Sequence, residues 1–248
     1  MMSPNECGTI CRNCCSRQAR MSPKFRIICA TRETETRFAA NTALGRSLAL
    51  CPYPFVELRL FGSNSTGLSK LYNIALREAE LDPAILVFIH DDVQLLDFFW
   101  PNHVFQGLRA FDLIGLAGNK RRVPGQPAWR FTDERLARDD KENLSGIVAH
   151  GASWPPDYVS YYGQPYQQVK LLDGVMMACR SETLLAKRIF FDEAFDFHFY
   201  DLDICRQAEL HELRLGTWSI SALHASDGRF DTPSWRAAYA RYIDKWKS

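Results

Sequence analysis

Between Phe25 and Ile89 the apolar residues follow two rhythms. FRIICA, FVELRLF and AILVFI are short runs of strand length, while residues 34–49 and 68–80 between them place apolar side chains at helical spacing. The predicted order is β-α-β-α-β. Such a unit builds a parallel sheet through right-handed crossovers and binds ligands at the carboxyl ends of its strands. His90, Asp91 and Asp92, directly after the third strand, therefore stand at a functional edge. Gly62, Ser63, Asn64 and Ser65 follow the second strand, where amides and hydroxyls suit a nucleotide; ordinary turn chemistry explains the same residues.

The second half is less regular. Gly118 to Ser145 is polar and aperiodic, longer than the roughly 12 to 15 residues usual for an unstructured connection. Within it, GNKRRVPGQPAWRF reads either as an active-site flap whose Lys120, Arg121 and Arg122 meet phosphate or as a solvated excursion. Strand-like pieces follow at 146–150, 157–162 and 167–172. LLDGVMMACR then reads as a strand entering a helix, with Ser181 as N-cap and Glu182 in the first turn. Tyr200 to Leu210 has helical spacing and carries Asp201 and Asp203 at its start, where the positive end of a helix stabilises carboxylates whether or not they have a further role. Glu212 to Ser221 is predicted as a strand ending near His224.

Composition narrows the function classes. The chain has 248 residues, and its 30 basic and 29 acidic side chains nearly cancel, so no overall field points to nucleic acid or an anionic membrane. No apolar run approaches the roughly 18 to 20 residues of a membrane span, and the amino terminus lacks the apolar stretch of a signal peptide, so a cytoplasmic protein is expected. Residues 23–248 are expected to form one domain behind a disordered, Cys-rich leader, residues 1–22. There Cys7, Cys11 and Cys14 have the spacing of an iron-sulfur site such as that of radical S-adenosylmethionine enzymes; those enzymes place the loop after a first strand, whereas here FRIICA comes later. Cys29, Cys51, Cys179 and Cys205 read as reduced core residues.

In their order, IICATRE, SNSTGLSKLYNIAL, ILVFIHDDV, LDGVMMACR, FYDLDICRQA and LHAS resemble the family 2 glycosyltransferases over about residues 24–228, especially a subgroup related to a streptomycin-biosynthesis transferase. The resemblance implies the GT-A fold, an α/β three-layer α/β/α sandwich on a mixed, mainly parallel sheet. It also implies transfer of a sugar from a nucleotide-diphosphate donor, most commonly a UDP-sugar, to an unidentified acceptor hydroxyl on a sugar, lipid or protein. Inversion by single displacement is expected, with a divalent cation, Mn²⁺ or Mg²⁺, beside the leaving diphosphate.

Carried onto this chain, the motifs make Asp92 and His224 metal ligands, put Asp91 at the donor ribose or sugar, and make Asp201 the general base. Thr31, Asn64, Asn73, Asp173 and Gly174 are expected around the donor, joined by Arg121 and Arg122 if the flap closes over it. His90, Asp203 and Arg206 support the site. His90 replaces a carboxylate of the usual motif, and Tyr200 replaces a glutamate. Two further readings are a nucleotide-sugar binder without transfer activity and a metal-dependent phosphoester or diphosphate hydrolase using Asp91, Asp92 and His224, for which no clear nucleophile is present.

Overall fold

The first strands, β1 (Phe25–Ala30), β2 (Val56–Phe61) and β3 (Ile85–Ile89), lie in the order β2-β1-β3, parallel at both joins. The structure, a computed structural model, describes residues 23–226 and 228–247; the expected leader and its cysteines fall outside them. Between these strands run α1 (Glu35–Asn41), α2 (Ala43–Leu50) and α3 (Leu68–Leu81). Then come β4 (Val93–Leu95), α4 (Trp100–Ala110), β5 (Leu113–Gly115), β6 (Ala117–Asn119), β7 (Leu144–His150), β8 (Tyr158–Gly163), β9 (Gln168–Val169), β10 (Leu171–Leu172) and β11 (Met176–Arg180). The chain closes with α5 (Ser181–Ala186), α6 (Tyr200–Leu210), β12 (Leu215–Thr217), β13 (Ala222–His224) and α7 (Pro233–Trp246).

The larger sheet has the order β2-β1-β3-β11-β5-β12-β9. Strands β2, β1, β3, β5 and β12 share one direction, and β11 and β9 oppose it. Helices cover both faces: Trp100 of α4 meets Phe25 on one, and Tyr72 of α3 meets Phe88 on the other. Leu86, Val87 and Phe88 are fully buried between them, each worth about 1.5–3 kcal/mol in apolar burial. The smaller sheet, β10-β6-β7-β13-β4 with β8 on β7, brings the ends of β13 and β7 toward the end of β3.

Three local expectations change. Residues 34–49 form two helices, because the Thr42 backbone is extended and its hydroxyl donates to Phe38 O while accepting from Gly45 N, closing α1 and capping α2. Ser181 is the first residue of α5 and Arg180 its N-cap; the Ser181 hydroxyl accepts from the Ala84 amide. The strand expected over Glu212–Ser221 is only β12, with β13 separate.

Helix α7 fastens the start of α6. Trp235, Tyr239 and Tyr242 pack around Phe199, which precedes α6 in the left-handed region at φ 67°. Such a backbone costs on the order of 1–3 kcal/mol for a non-glycine residue and persists where its surroundings enforce it.

Candidate functional site

Four chain segments meet at the carboxyl end of β3. Strand β11 runs antiparallel to β3, with Met176 opposite Ile89, so Asp173 and Gly174, just before β11, sit beside His90. The His90 amide donates to Val175 O, and the amide of Ala225, just past β13, donates to Asp92 O. Helix α6 begins here with Tyr200 and Asp201. These backbone bonds fix the segments before any ligand is considered.

His90, Asp92 and His224 each offer one metal-ligating atom, all within 4.8 Å of one another. One ion with bonds of roughly 2.1 Å allows ligands up to about 4.2 Å apart, so a contraction of about half an ångström closes the set. Asp92 Oδ1 lies 3.4 Å from His224 Nε2 and, though buried, makes no hydrogen bond of good geometry. Burial pushes the Asp92 carboxyl up, but the His224 ring more than reverses this and holds it at about 2. Burial lowers the pKa of His90, favouring the neutral imidazole that a metal requires. An anionic carboxylate grouped with two imidazoles fits a divalent cation.

Asp201 faces the same edge from α6. Its Oδ2 accepts from Gly174 N at 3.0 Å and its Oδ1 from Leu202 N at 2.9 Å. Burial, reinforced by neighbouring Asp173, raises its carboxyl to about 7 despite those amides. Only glycine fits at 174, since a Cβ there would overlap the Tyr200 hydroxyl and crowd Asp201 Cβ.

Thr31 and Asn64 lie at the same edge. Thr31 O accepts from Asn64 N and its hydroxyl from Glu33 N, while Asn64 forms a turn with Thr66. Asp91 follows β3, its carbonyl accepting from Leu44 N at the start of α2.

Other expected site residues are used differently. Asn73 is buried, and its amide donates to Phe191 O and Glu193 while accepting from Phe191 N, fastening α3 to that loop. Arg121 forks onto Asp139 at 2.5 and 3.0 Å, and Asn119 and Asn143 donate to the same carboxylate. Arg122 pairs with Glu209, eight residues beyond Asp201 and hence about 12 Å along α6. Arg121 and Arg122 are committed to the fold in this arrangement. Asp203 is fully buried and bound by Lys245, Trp246 Nε1 and Gln207, and Arg206 lies over the Trp246 ring; both tie α6 to α7.

His150 escapes the motif reading. It ends β7 opposite His224, with ring centroids 6.2 Å apart, and stacks on Tyr158 at 4.7 Å. Its signal is GIVAH, an apolar run ending in histidine as VFIH does.

Among solved structures, the chain is similar to GalNAc-T7, a structure with UDP, GalNAc and Mn²⁺, at TM-score 0.53 and 11% identity over 91% of this chain and 48% of that one. It thus spans about half of that chain, and the likeness is one of fold, the GT-A fold. A197 from STIV aligns at TM-score 0.49 and 13% identity over 82% of this chain and 86% of that one. No curated protein matches. Residues 56–233 match the model of the glycosyltransferase-like family, which runs from β2 through the first residue of α7 and takes in both β3 and α6. The chain belongs to the glycosyltransferase-like family.

Proposed function

We propose that the chain transfers a sugar from a UDP-sugar to an acceptor hydroxyl with inversion, using a divalent cation held by His90, Asp92 and His224. The convergence of those three side chains at the carboxyl end of β3 carries the reading. A cation bound there supplies positive charge beside the diphosphate as it leaves. Asp91, Thr31 and Asn64 lie at the ends of β3, β1 and β2, where the nucleotide of a GT-A donor would rest, and Asp173 and Gly174 border the sugar. Asp201 takes the proton of the acceptor hydroxyl; the amides of Gly174 and Leu202 hold its carboxylate in place. A carboxyl near 7 is tuned for that task at neutral pH. The six motifs keep the chain with the streptomycin-related subgroup.

Calorimetric titration with UDP, with and without Mn²⁺, beside a transfer assay over a panel of UDP-sugars and acceptors, tests this. Mn²⁺-dependent UDP binding and acceptor-dependent UDP release are expected. Binding without release under any acceptor would leave a nucleotide-sugar binder, and no UDP binding at all would end the reading.

A further inference from the structure

The hydrogen bond on the His90 ring has a direction that its surroundings dictate. Tyr200 Oη lies 2.8 Å from His90 Nε2 and 2.8 Å from Gly174 O. A carbonyl oxygen only accepts, and a phenol has one proton to give. When both contacts are satisfied, Tyr200 donates to Gly174 and accepts from His90 Nε2–H. The lone pair of the His90 ring then resides on Nδ1.

The surroundings hold this arrangement. Tyr200 is 3% exposed, and its ring packs edge-on against Tyr72 and at a tilt against Phe191, placing the hydroxyl from the core side. Phe197 stacks over the other side of the His90 ring at 5.8 Å. The imidazole is thus flanked by Phe197 and set in tautomer by Tyr200.

We infer that Tyr200 is a positioning residue that presents His90 to the cation through Nδ1, and that the resulting set of two imidazoles and one carboxylate makes the site select transition-metal cations over Mg²⁺. The inference rests on the metal site proposed above and gives it a cation class. An imidazole whose second nitrogen is held by a hydrogen bond has a defined orientation and raised basicity toward a metal. Imidazole nitrogen suits Co²⁺ and Zn²⁺, and first-row transition ions bind nitrogen sites in the rising order from Mn²⁺, whereas Mg²⁺ demands oxygen. Two nitrogens in three ligands put Mg²⁺ last.

Co²⁺ titrated into the full chain, followed by visible absorption with Mg²⁺ as competitor, gives a readout independent of turnover. Ligand-field bands are expected that a 100-fold excess of Mg²⁺ does not remove. Tyr200→Phe removes one oxygen and keeps the ring; it should lower Co²⁺ affinity by about 10- to 100-fold, the usual cost of losing such an outer hydrogen bond. In a His90→Asp background the same change should cost nothing further, and Mg²⁺ should compete. Nitrogen NMR shifts of His90 in the metal-free wild type, which need no variant, should report the Nε2–H tautomer. The Nδ1–H tautomer, unchanged Co²⁺ affinity in Tyr200→Phe, or an undiminished loss in the His90→Asp background overturns the inference and leaves the metal site standing. Absence of both Co²⁺ and Mn²⁺ binding in the wild type removes the metal site and the inference together.

Discussion

The edge at His90 and the excursion from Lys120 to Asn143 are both rich in charge along the sequence, and the fold treats them in opposite ways. In the excursion, charges meet partners: Arg121, Asn119 and Asn143 converge on Asp139, and Arg122 shares Glu209 with Lys170. Burial pushes the Asp139 carboxyl up, yet the Arg121 guanidinium and its neighbours hold it far below the usual carboxylate range. At the edge, similar groups are kept together. Asp201 is pushed up by burial and by Asp173, and the rings of His90, His224 and His150 stand about 6 Å apart. A closed network stabilises the fold, while crowded groups of like kind hold free energy that a ligand can release.

If the contrast is sound, changes at the edge cost function and changes in the closed networks cost stability. The largest effect is expected from Asp201→Asn, which should lower turnover by about 10²- to 10⁴-fold while donor affinity measured by calorimetry stays near wild type. The wild-type rate should itself fall as pH drops below about 7, where the Asp201 carboxyl, the proposed base, becomes protonated. The stability effect has a definite sign. Asp201 titrates near 7 in the fold against 3.8 unfolded, so its contribution is present below about pH 4 and lost as pH rises through about 7. The melting temperature of Asp201→Asn relative to wild type should therefore rise from about pH 5 to about pH 8.

Next in size is Asp92→Asn, expected to weaken Mn²⁺-dependent UDP binding by about 100-fold or more while shifting the melting temperature by a few degrees. Full retention of Mn²⁺-dependent affinity would remove Asp92 from the metal site. Asp203 shares a helix with Asp201 and belongs to the other class: Asp203→Asn should cost about 2–3 kcal/mol in urea unfolding, because Lys245 and Trp246 lose a buried anion, with activity per folded molecule preserved. The smallest effect is expected at Arg122→Ala, since Glu209 keeps Lys170 and the pair is partly exposed; stability should change by less than about 1 kcal/mol. Donor affinity in that variant should match that of the wild type at both low and high salt. A loss confined to low salt would bring the excursion to the diphosphate.

Much of the framework is legible in the sequence because its signals are local. FRIICA, VELRLF and ILVFI carry their own strand pattern, and Tyr200 to Leu210 has the spacing and the acidic first turn that give α6 those bounds. The division at Thr42 is not legible, since it depends on which way one hydroxyl turns. Partners are less legible still. Asp139 stands 18 residues from Arg121, Glu209 87 residues from Arg122, and Tyr200 110 residues from His90, distances at which spacing carries no information. The two departures from the family motif, His90 and Tyr200, are strangers in sequence and hydrogen-bonded in space. Asn73 shows the converse: a polar residue inside a matching motif whose amide is spent on the Phe191 backbone.

Asp92 and His224 are separated by roughly 130 residues, and closing so long a span costs chain entropy before any contact across it is made. A cation held as proposed gains its third ligand only when β13 docks beside β3, since His90 and Asp92 are close along the chain and His224 is distant. Its signature is then kinetic: the folding limb of a chevron stays where it is, while the unfolding limb drops in proportion to the affinity of the bound ion. With a cation bound as proposed, the chain would leave its native state more slowly wherever the cation is plentiful, with no change in the time it takes to form.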